Sequence, residues 1–511
     1  MTSRNLGRFF SDQAKRTPER VALIDLAVDG RSVDYATLEA RTERLAAALQ
    51  QIGLRPGDRI ALQIGNRTEY LEAFFGTMRS GAIPVLINPR LSDEVRRFIA
   101  EDSGAVALIV DAAERPGVSP WMNVFGGDRR IALGAGVEGW QDYEALLAAA
   151  PAAAEPVEPE PGAIAFQPYT AGSTGRPKGV LLTHEGMLWS IAQNQRYWPA
   201  RPEERALVAV PMVHKNAMRG IVKPMLNVGG SFVLQQDFEP RRFLQALAEY
   251  RCTFVSGVPA IFILALQQEN LLDSLDFSAL ERIYVGSAMV SDALLAELDR
   301  RWPHTKVVEA YGLTEGGGPI RSPVDGSPMK RGSCGVAAPE TGVRLVGADG
   351  KDDARQGELW VRSPAVLRGY HNRPDLDAER LVDGWLRTGD IFRRDDDGHL
   401  FFVGRVDDMF SCGGENIYPR EVESVLLQHP AVRDAVVVPI PHAVKTYVPA
   451  AMVLLKTGHQ TSEDELRRFA LSIGPAFAHP RKIAIVGELP LNSAGKPDRG
   501  AVRRHFDAPS A

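Results

Sequence analysis

Over roughly its first 400 residues this chain alternates short apolar runs with longer amphipathic stretches, which restricts it to parallel sheets covered by helices. Residues 60–64, 106–110, 206–210, 232–234, 253–255, 283–285 and 306–308 predict strands of that kind. Residues 35–52 predict a helix with Leu38, Leu45, Leu49 and Ile52 on one face and Gly53 as its stop signal. The Pro- and Glu-rich run PAAAEPVEPEPG over 151–162 predicts a surface linker. After about residue 335 the texture turns to short β-rich pieces such as 358–361, punctuated by Asp349-Gly350, Asp383-Gly384 and Asp397-Gly398. Strands near 435–438, 452–455 and 483–486 then alternate with helical stretches. The expected class is α/β: a large N-terminal domain of doubly wound sheets over 1–405, with its β-rich part at about 335–405, and a small α+β domain over 406–511.

A chain of 511 residues exceeds one ordinary core, so two or three domains are expected, and 44% apolar residues supply them. The 59 basic and 64 acidic residues nearly balance, so no global field recruits nucleic acid or anionic lipid, and anion recognition has to be local. Cys252, Cys334 and Cys412 are far apart, show no metal-ligand spacing and cannot all pair, which suits a reducing cytoplasm. The amino terminus lacks the apolar core of a signal peptide, and no later run approaches the roughly 18 residues of a membrane span. The expectation is a cytoplasmic protein that could form a homodimer, without stable membrane insertion.

Residues 169–179 read YTAGSTGRPKG. Gly172, Gly175 and Gly179 permit close approach of the backbone to a ligand, and Thr170, Ser173, Thr174 and Lys178 offer donors to phosphate oxygens. The string is not a Walker loop, because Pro177 stands where that pattern needs glycine and Gly179 where it needs Ser or Thr.

Four further segments follow in order: Tyr311-Gly312-Leu313-Thr314-Glu315, Gly384-Trp385-Leu386-Arg387-Thr388-Gly389-Asp390, Gly404-Arg405-Val406-Asp407-Asp408, and LPLNSAGK ending at Lys496. With the loop, they resemble the adenylate-forming superfamily of acyl-CoA synthetases, amino-acid adenylation domains and luciferases, from about residue 10 onward. The resemblance implies a two-step ligase, using ATP, Mg²⁺ and coenzyme A, in which a carboxylate attacks the α-phosphate and a thiol then displaces AMP. It implies that Lys496 bridges the carboxylate and the α-phosphate, that Glu315 and Thr170 serve the metal, and that Ser173, Thr174, Gly175 and Lys178 hold phosphate. Tyr311, with Ala310, Gly312 and Thr314, would face adenine above Ser287 and Ala288. Asp390 and Arg405 would hold the ribose. Asp407 matches the hinge of a mobile C-terminal domain, with Lys496 on one face and Gly413 and Gly414 on the other, beside the pantetheine arm. Arg90, Phe477 and His479 match the CoA nucleotide site more loosely.

His214, closing Pro211-Met212-Val213-His214, resembles the gate of the pantetheine tunnel. Lys215 and Asn216 follow it in the acyl pocket, with Ser287, Gly312, Gly317 and Gly318. A lysine at 215 disfavours an amino-acid substrate, whose ammonium would face a cation. Lys215 could instead meet a second carboxylate or a phenolate on the acid, meet a protein carboxylate, or reach solvent. Gly316, Gly317 and Gly318 remove bulk and suggest a wide or deep pocket floor. The expected function is an ATP-dependent acid:CoA ligase for an aromatic or medium-to-long-chain acid. The alternatives are an enzyme loading a carrier-protein thiol in trans and a non-catalytic acyl-nucleotide binding protein. His184 reads as structural, and Cys412 is assigned no chemistry.

Overall fold

The computed structural model describes residues 3–113, 118–134, 136–170, 176–287, 290–323, 327, 329–347, 350–352, 355–412, 415–442, 444–491 and 497–507. The chain divides into two compact units, Met1–Val343 with Val361–Arg387, and Arg344–Trp360 with Thr388–Ala511.

The first unit holds two large sheets. One runs in the order Lys306–Ala310, Arg282–Gly286, Phe254–Gly257, Arg205–Val208, Ser231–Leu234, Val21–Asp25, Arg31–Asp34, with every neighbouring pair parallel except the last. The other runs Gly369–Tyr370, Lys178–Thr183, Ile164–Thr170, Ile83–Leu86, Arg59–Gln63, Ala107–Asp111, Arg130–Leu133, Gln141–Asp142. Its first two pairings are antiparallel and the rest parallel. Strands such as Ala107–Asp111 and Ile83–Leu86 are buried along their whole length, which is why they read as unbroken apolar runs and not as alternating ones.

The helix Tyr35–Gln51 starts where Asp34 accepts from the Thr37 N–H at 2.7 Å, and it buries Leu38, Leu45 and Leu49. Ile52 is its cap, and Gly53 takes φ +80° to turn the chain away. The strand expected over 206–210 is Arg205–Val208. It stops because the Asn66 amide donates to the Val210 carbonyl at 3.0 Å and accepts from the Met212 N–H at 2.7 Å, pulling the next residues out of the sheet. The run over 151–162 is no free linker. Asn5 donates to the Val157 carbonyl at 3.0 Å, the Ala154 N–H donates to Glu43 at 3.2 Å, and Ala154 itself is buried.

In the second unit Val432–His442 and Thr446–Leu455 form a long antiparallel pair, and Lys482–Val486 joins the latter in parallel. The helices Pro419–Leu426, Glu463–Ile473 and Arg499–Asp507 accompany them, and Val422, Leu426, Leu466, Ala470 and Val502 share one core with Val436, Val437 and Val453. Leu400–Arg405 pairs antiparallel with the strand ending at Arg394, placing Asp390 opposite Arg405.

Candidate active site

Thr170 ends one strand of a hairpin and Lys178 begins the other, directly opposite it. Both ends of the intervening turn are thereby pinned side by side. Ser173, Thr174 and Gly175 of that turn lie outside the described residues. Glu315 is brought to the same spot by a tight turn in which the Leu313 N–H donates to the Gly317 carbonyl at 3.0 Å, while the Leu367 N–H donates to the Glu315 carbonyl at 2.7 Å. Its carboxylate accepts from the Thr170 hydroxyl at 3.4 Å and lies 3.6 Å from the Lys178 ammonium. Tyr370, unnoticed in the sequence, completes the group: its ring lies 4.6 Å from the Lys178 ammonium, and its phenol lies in the field of the Glu315 carboxylate. Burial, and after it the Glu315 charge, push the Tyr370 phenol up, so it stays a neutral donor.

The other groups gather at the carboxyl ends of the parallel strands, where open α/β sheets bind ligands. Ala310 ends Lys306–Ala310, with Tyr311, Gly312 and Thr314 just beyond it. Gly286 ends Arg282–Gly286 so close to that strand that a Cβ would overlap the Ala310 carbonyl. Ser287 follows at φ +63°, a strained value for a residue with a side chain. Ala288 lies outside the described residues. Asn216 ties this corner together, accepting from the Ser256 hydroxyl at 2.8 Å and donating to Ser287 at 3.3 Å. His214 Nε2 lies 3.4 Å from the Asn88 amide, and the Tyr70 hydroxyl holds the Met212 carbonyl at 3.0 Å.

Among the described residues Lys215 meets no carboxylate within ion-pair distance. Its ammonium donates to the carbonyls of Leu313 and Gly317, the latter at 2.7 Å. Burial, and then the nearby Arg219 charge, press it well below the ordinary lysine range. The room left by the glycines is also used. A Cβ at Gly318 would overlap the Arg219 guanidinium, one at Gly316 would crowd Leu386 and Leu313, and one at Gly312 would lie 3.1 Å from the Lys215 ammonium. The pocket floor expected there to be wide is filled by a cation. Arg219 went unread in the sequence, although Lys215, Arg219 and Lys223 recur every four residues, the spacing of one helical face.

In the second unit Arg405 donates to Asp390 at 2.9 Å, with Asp407 at 3.9 Å from the same guanidinium. Glu358 accepts from the Gly389 N–H at 3.0 Å, and Thr388 accepts from the Asp390 N–H at 3.1 Å, so the aspartate sits on a fixed backbone. His479 donates through Nδ1 to the Ala476 carbonyl at 2.7 Å and touches Arg481, and Phe477 is partly exposed beside it. Gly413, Gly414 and Lys496 lie outside the described residues. In the first unit, Arg90 pairs with Asp237 at the surface.

Among the described residues no three His, Cys, Asp or Glu side chains form a metal cage. One carboxylate beside a hydroxyl nevertheless fits Mg²⁺, which takes one or two protein carboxylates and fills its remaining positions with phosphate oxygens and water. Soft or nitrogen-preferring metals find no matching donors at this spot.

A hydroxyl, a lysine and a carboxylate gathered where two paired strands end are a donor set that suits an enzyme that activates acids with a nucleotide. The chain belongs to the AMP-binding enzyme family, whose model matches residues 10–371, and the model of the AMP-binding enzyme C-terminal domain matches residues 421–496. It is 34% identical to a feruloyl-CoA synthase from an Amycolatopsis species, over 99% of this chain and 100% of that one. It is 32% identical to the indoleacetate–CoA ligase of Aromatoleum aromaticum, over 93% of each. The crystal structure of ATP-bound MatB from Rhodopseudomonas palustris superposes with a TM-score of 0.90 at 26% identity, covering 99% of both chains. Among the described residues no helix is long and apolar enough to cross a membrane.

Proposed function

We propose that this protein is an ATP-dependent acid:CoA ligase that activates an aromatic carboxylic acid. The observation that carries the reading is the convergence of Thr170, Lys178, Glu315 and Tyr370 at one hairpin turn, in a chain alike from end to end to aryl-acid CoA ligases. In the first step a carboxylate oxygen of the acid attacks the α-phosphorus of ATP, the bond to the β-phosphate oxygen breaks, and pyrophosphate leaves. In the second the thiol of coenzyme A attacks the acyl carbonyl, loses its proton, and AMP departs.

Both steps bring anions together, so catalysis rests on positioning and charge neutralisation. Lys178, over the Tyr370 ring, supplies a fixed positive charge at the turn. Mg²⁺, held by Glu315 with Thr170, would neutralise phosphate charge when bound. Asp390 with Arg405 takes the ribose hydroxyls, and His214, anchored by Asn88, borders the thiol's entry. Lys496 delivers the bridging charge, with Asp407 as the hinge on which residues 406–511 turn. Gly413 and Gly414 border the pantetheine arm, and Arg90, Phe477 and His479 hold the CoA nucleotide. Three cysteines, all buried and unbridged, support a cytoplasmic location.

The test is pyrophosphate release from a panel of aryl and alkyl acids, with and without CoA. Aryl acids are expected to release pyrophosphate and, with CoA present, to yield the thioester. Acyl-AMP that accumulates unchanged when CoA is added would remove CoA as the acceptor, and silence across the whole panel would remove the reading.

A further inference from the structure

The helical stretch after His214 changes character at its centre. Lys215–Ala217 is α-helical, Met218–Val222 is a π segment, and Lys223–Val228 is α-helical again. Such an insertion re-aims side chains and is frequent at functional sites. Here it carries Arg219, whose backbone carbonyl is held by the Asn194 amide at 3.1 Å. The guanidinium lies against Gly318 and within reach of Gly312, on the wall beyond Tyr311.

Three cations approach this wall, Lys215, Arg219 and Arg321, and Lys223 follows behind them. Lys215 is satisfied by two carbonyls. Arg219 is not satisfied: its Nε and Nη2 are shut off from water without a hydrogen-bond partner, and no carboxylate among the described residues lies within ion-pair distance. Burial, and after it the Arg321 charge, act against its own charge. As whole residues, Lys215 and Arg219 are only half-buried. A guanidinium so placed is incomplete without an anion from outside, and its planar fork matches a carboxylate with two parallel hydrogen bonds.

We propose that the acid this enzyme activates carries a second carboxylate, remote from the one that is adenylated, and that the Arg219 guanidinium receives it. The assignment rests on the ligase reading above. Two of the three Lys215 ammonium protons are committed to Leu313 and Gly317, so the planar fork of Arg219 is the better receiver.

The experiment compares rigid aryl dicarboxylates of graded length, benzene-1,3- and 1,4-dicarboxylate and 4-carboxycinnamate, each with its distal monoamide and its unsubstituted parent. Pyrophosphate release gives kcat/KM for the wild type, Arg219→Met and Arg219→Gln. At least one diacid is expected to exceed its monoamide by about tenfold to a hundredfold in the wild type, mostly through KM, and the preference is expected to vanish in both variants while the parent acid reacts as before. An Arg219 that only supports the fold would depress diacid and parent alike, and that outcome overturns the proposal. So does a wild type that treats every diacid no better than its amide, which decides the matter even if neither variant folds. If no acid of any kind releases pyrophosphate, the ligase reading itself has failed, whereas turnover of parent acids without a diacid preference sinks this inference alone.

Discussion

His184 begins the helix His184–Tyr197 and accepts the Leu6 N–H on Nδ1 at 2.9 Å, so it is needed neutral. Burial pushes its imidazole down to about 4 from 6.5. The unfolded chain therefore binds more protons between those values, and this contact is whole above pH 6.5 and lost as pH falls through about 4. His184→Phe should cost about 1 to 3 kcal/mol at pH 7.5 and flatten the acid limb of a stability-versus-pH curve from denaturant melts. Lys223 shows the same sign of linkage at higher pH. It is buried over the Phe166 ring at 5.6 Å, and burial, then Arg219, push it to about 7 from 10.5. Its proton is retained in the unfolded chain up to near pH 10.5, so the native state gains stability as pH rises from about 7. Lys223→Met should raise the melting temperature at pH 6 and lose that advantage toward pH 10; an advantage constant with pH would show that charge is not the cause. The sequence reading of His184 as structural agrees with this buried contact. The titration of Lys223 was not legible, because a lysine in a sequence carries no sign of the apolar ring that will cover it.

At the scale of elements, the helical stretch from Lys215 to Val228 packs its cations against a turn of three glycines, and these two elements explain one another. Gly318→Ala should lower stability by about 1 to 3 kcal/mol through overlap with the Arg219 guanidinium. Arg219→Met, with its narrower and more pliant end, should remove most of that penalty in the double variant. A double-mutant cycle of urea melts measures this, and strict additivity would refute the packing account. The glycine run had suggested empty space, since missing side chains say what is absent and not what fills the gap. The strands were more legible: buried parallel strands need unbroken apolar runs, and most of those expected lie within a residue or two of their real bounds. The antiparallel hairpin Ile164–Thr170 with Lys178–Thr183 was read only as a loop, because its turn chemistry masked the flanking strands.

For the whole molecule, the ligase reading assigns Lys496 to a region separate in sequence from Thr170 and Glu315, which predicts a separation of the two half-reactions. Lys496→Ala should slow acyl-AMP formation by about a hundredfold to a thousandfold, yet convert supplied acyl-AMP and CoA to thioester at the wild-type rate. Equal loss in both half-reactions, measured by pyrophosphate release and by thioester absorbance, would sink the assignment. The sequence by itself determined the alternation that makes the large sheets, the order of the motifs and the small, hydroxyl-rich character of residues 169–179, because periodicity and local composition act over a few residues. Only the tertiary structure decided that Lys215 is spent on the carbonyls of Leu313 and Gly317, that Glu315 meets Thr170 and Lys178, and that Arg219 fills the room beside Gly318. Most of those contacts join residues about a hundred or more positions apart. Which distant groups meet depends on how the sheets stack and where strands end, and no local spacing records it.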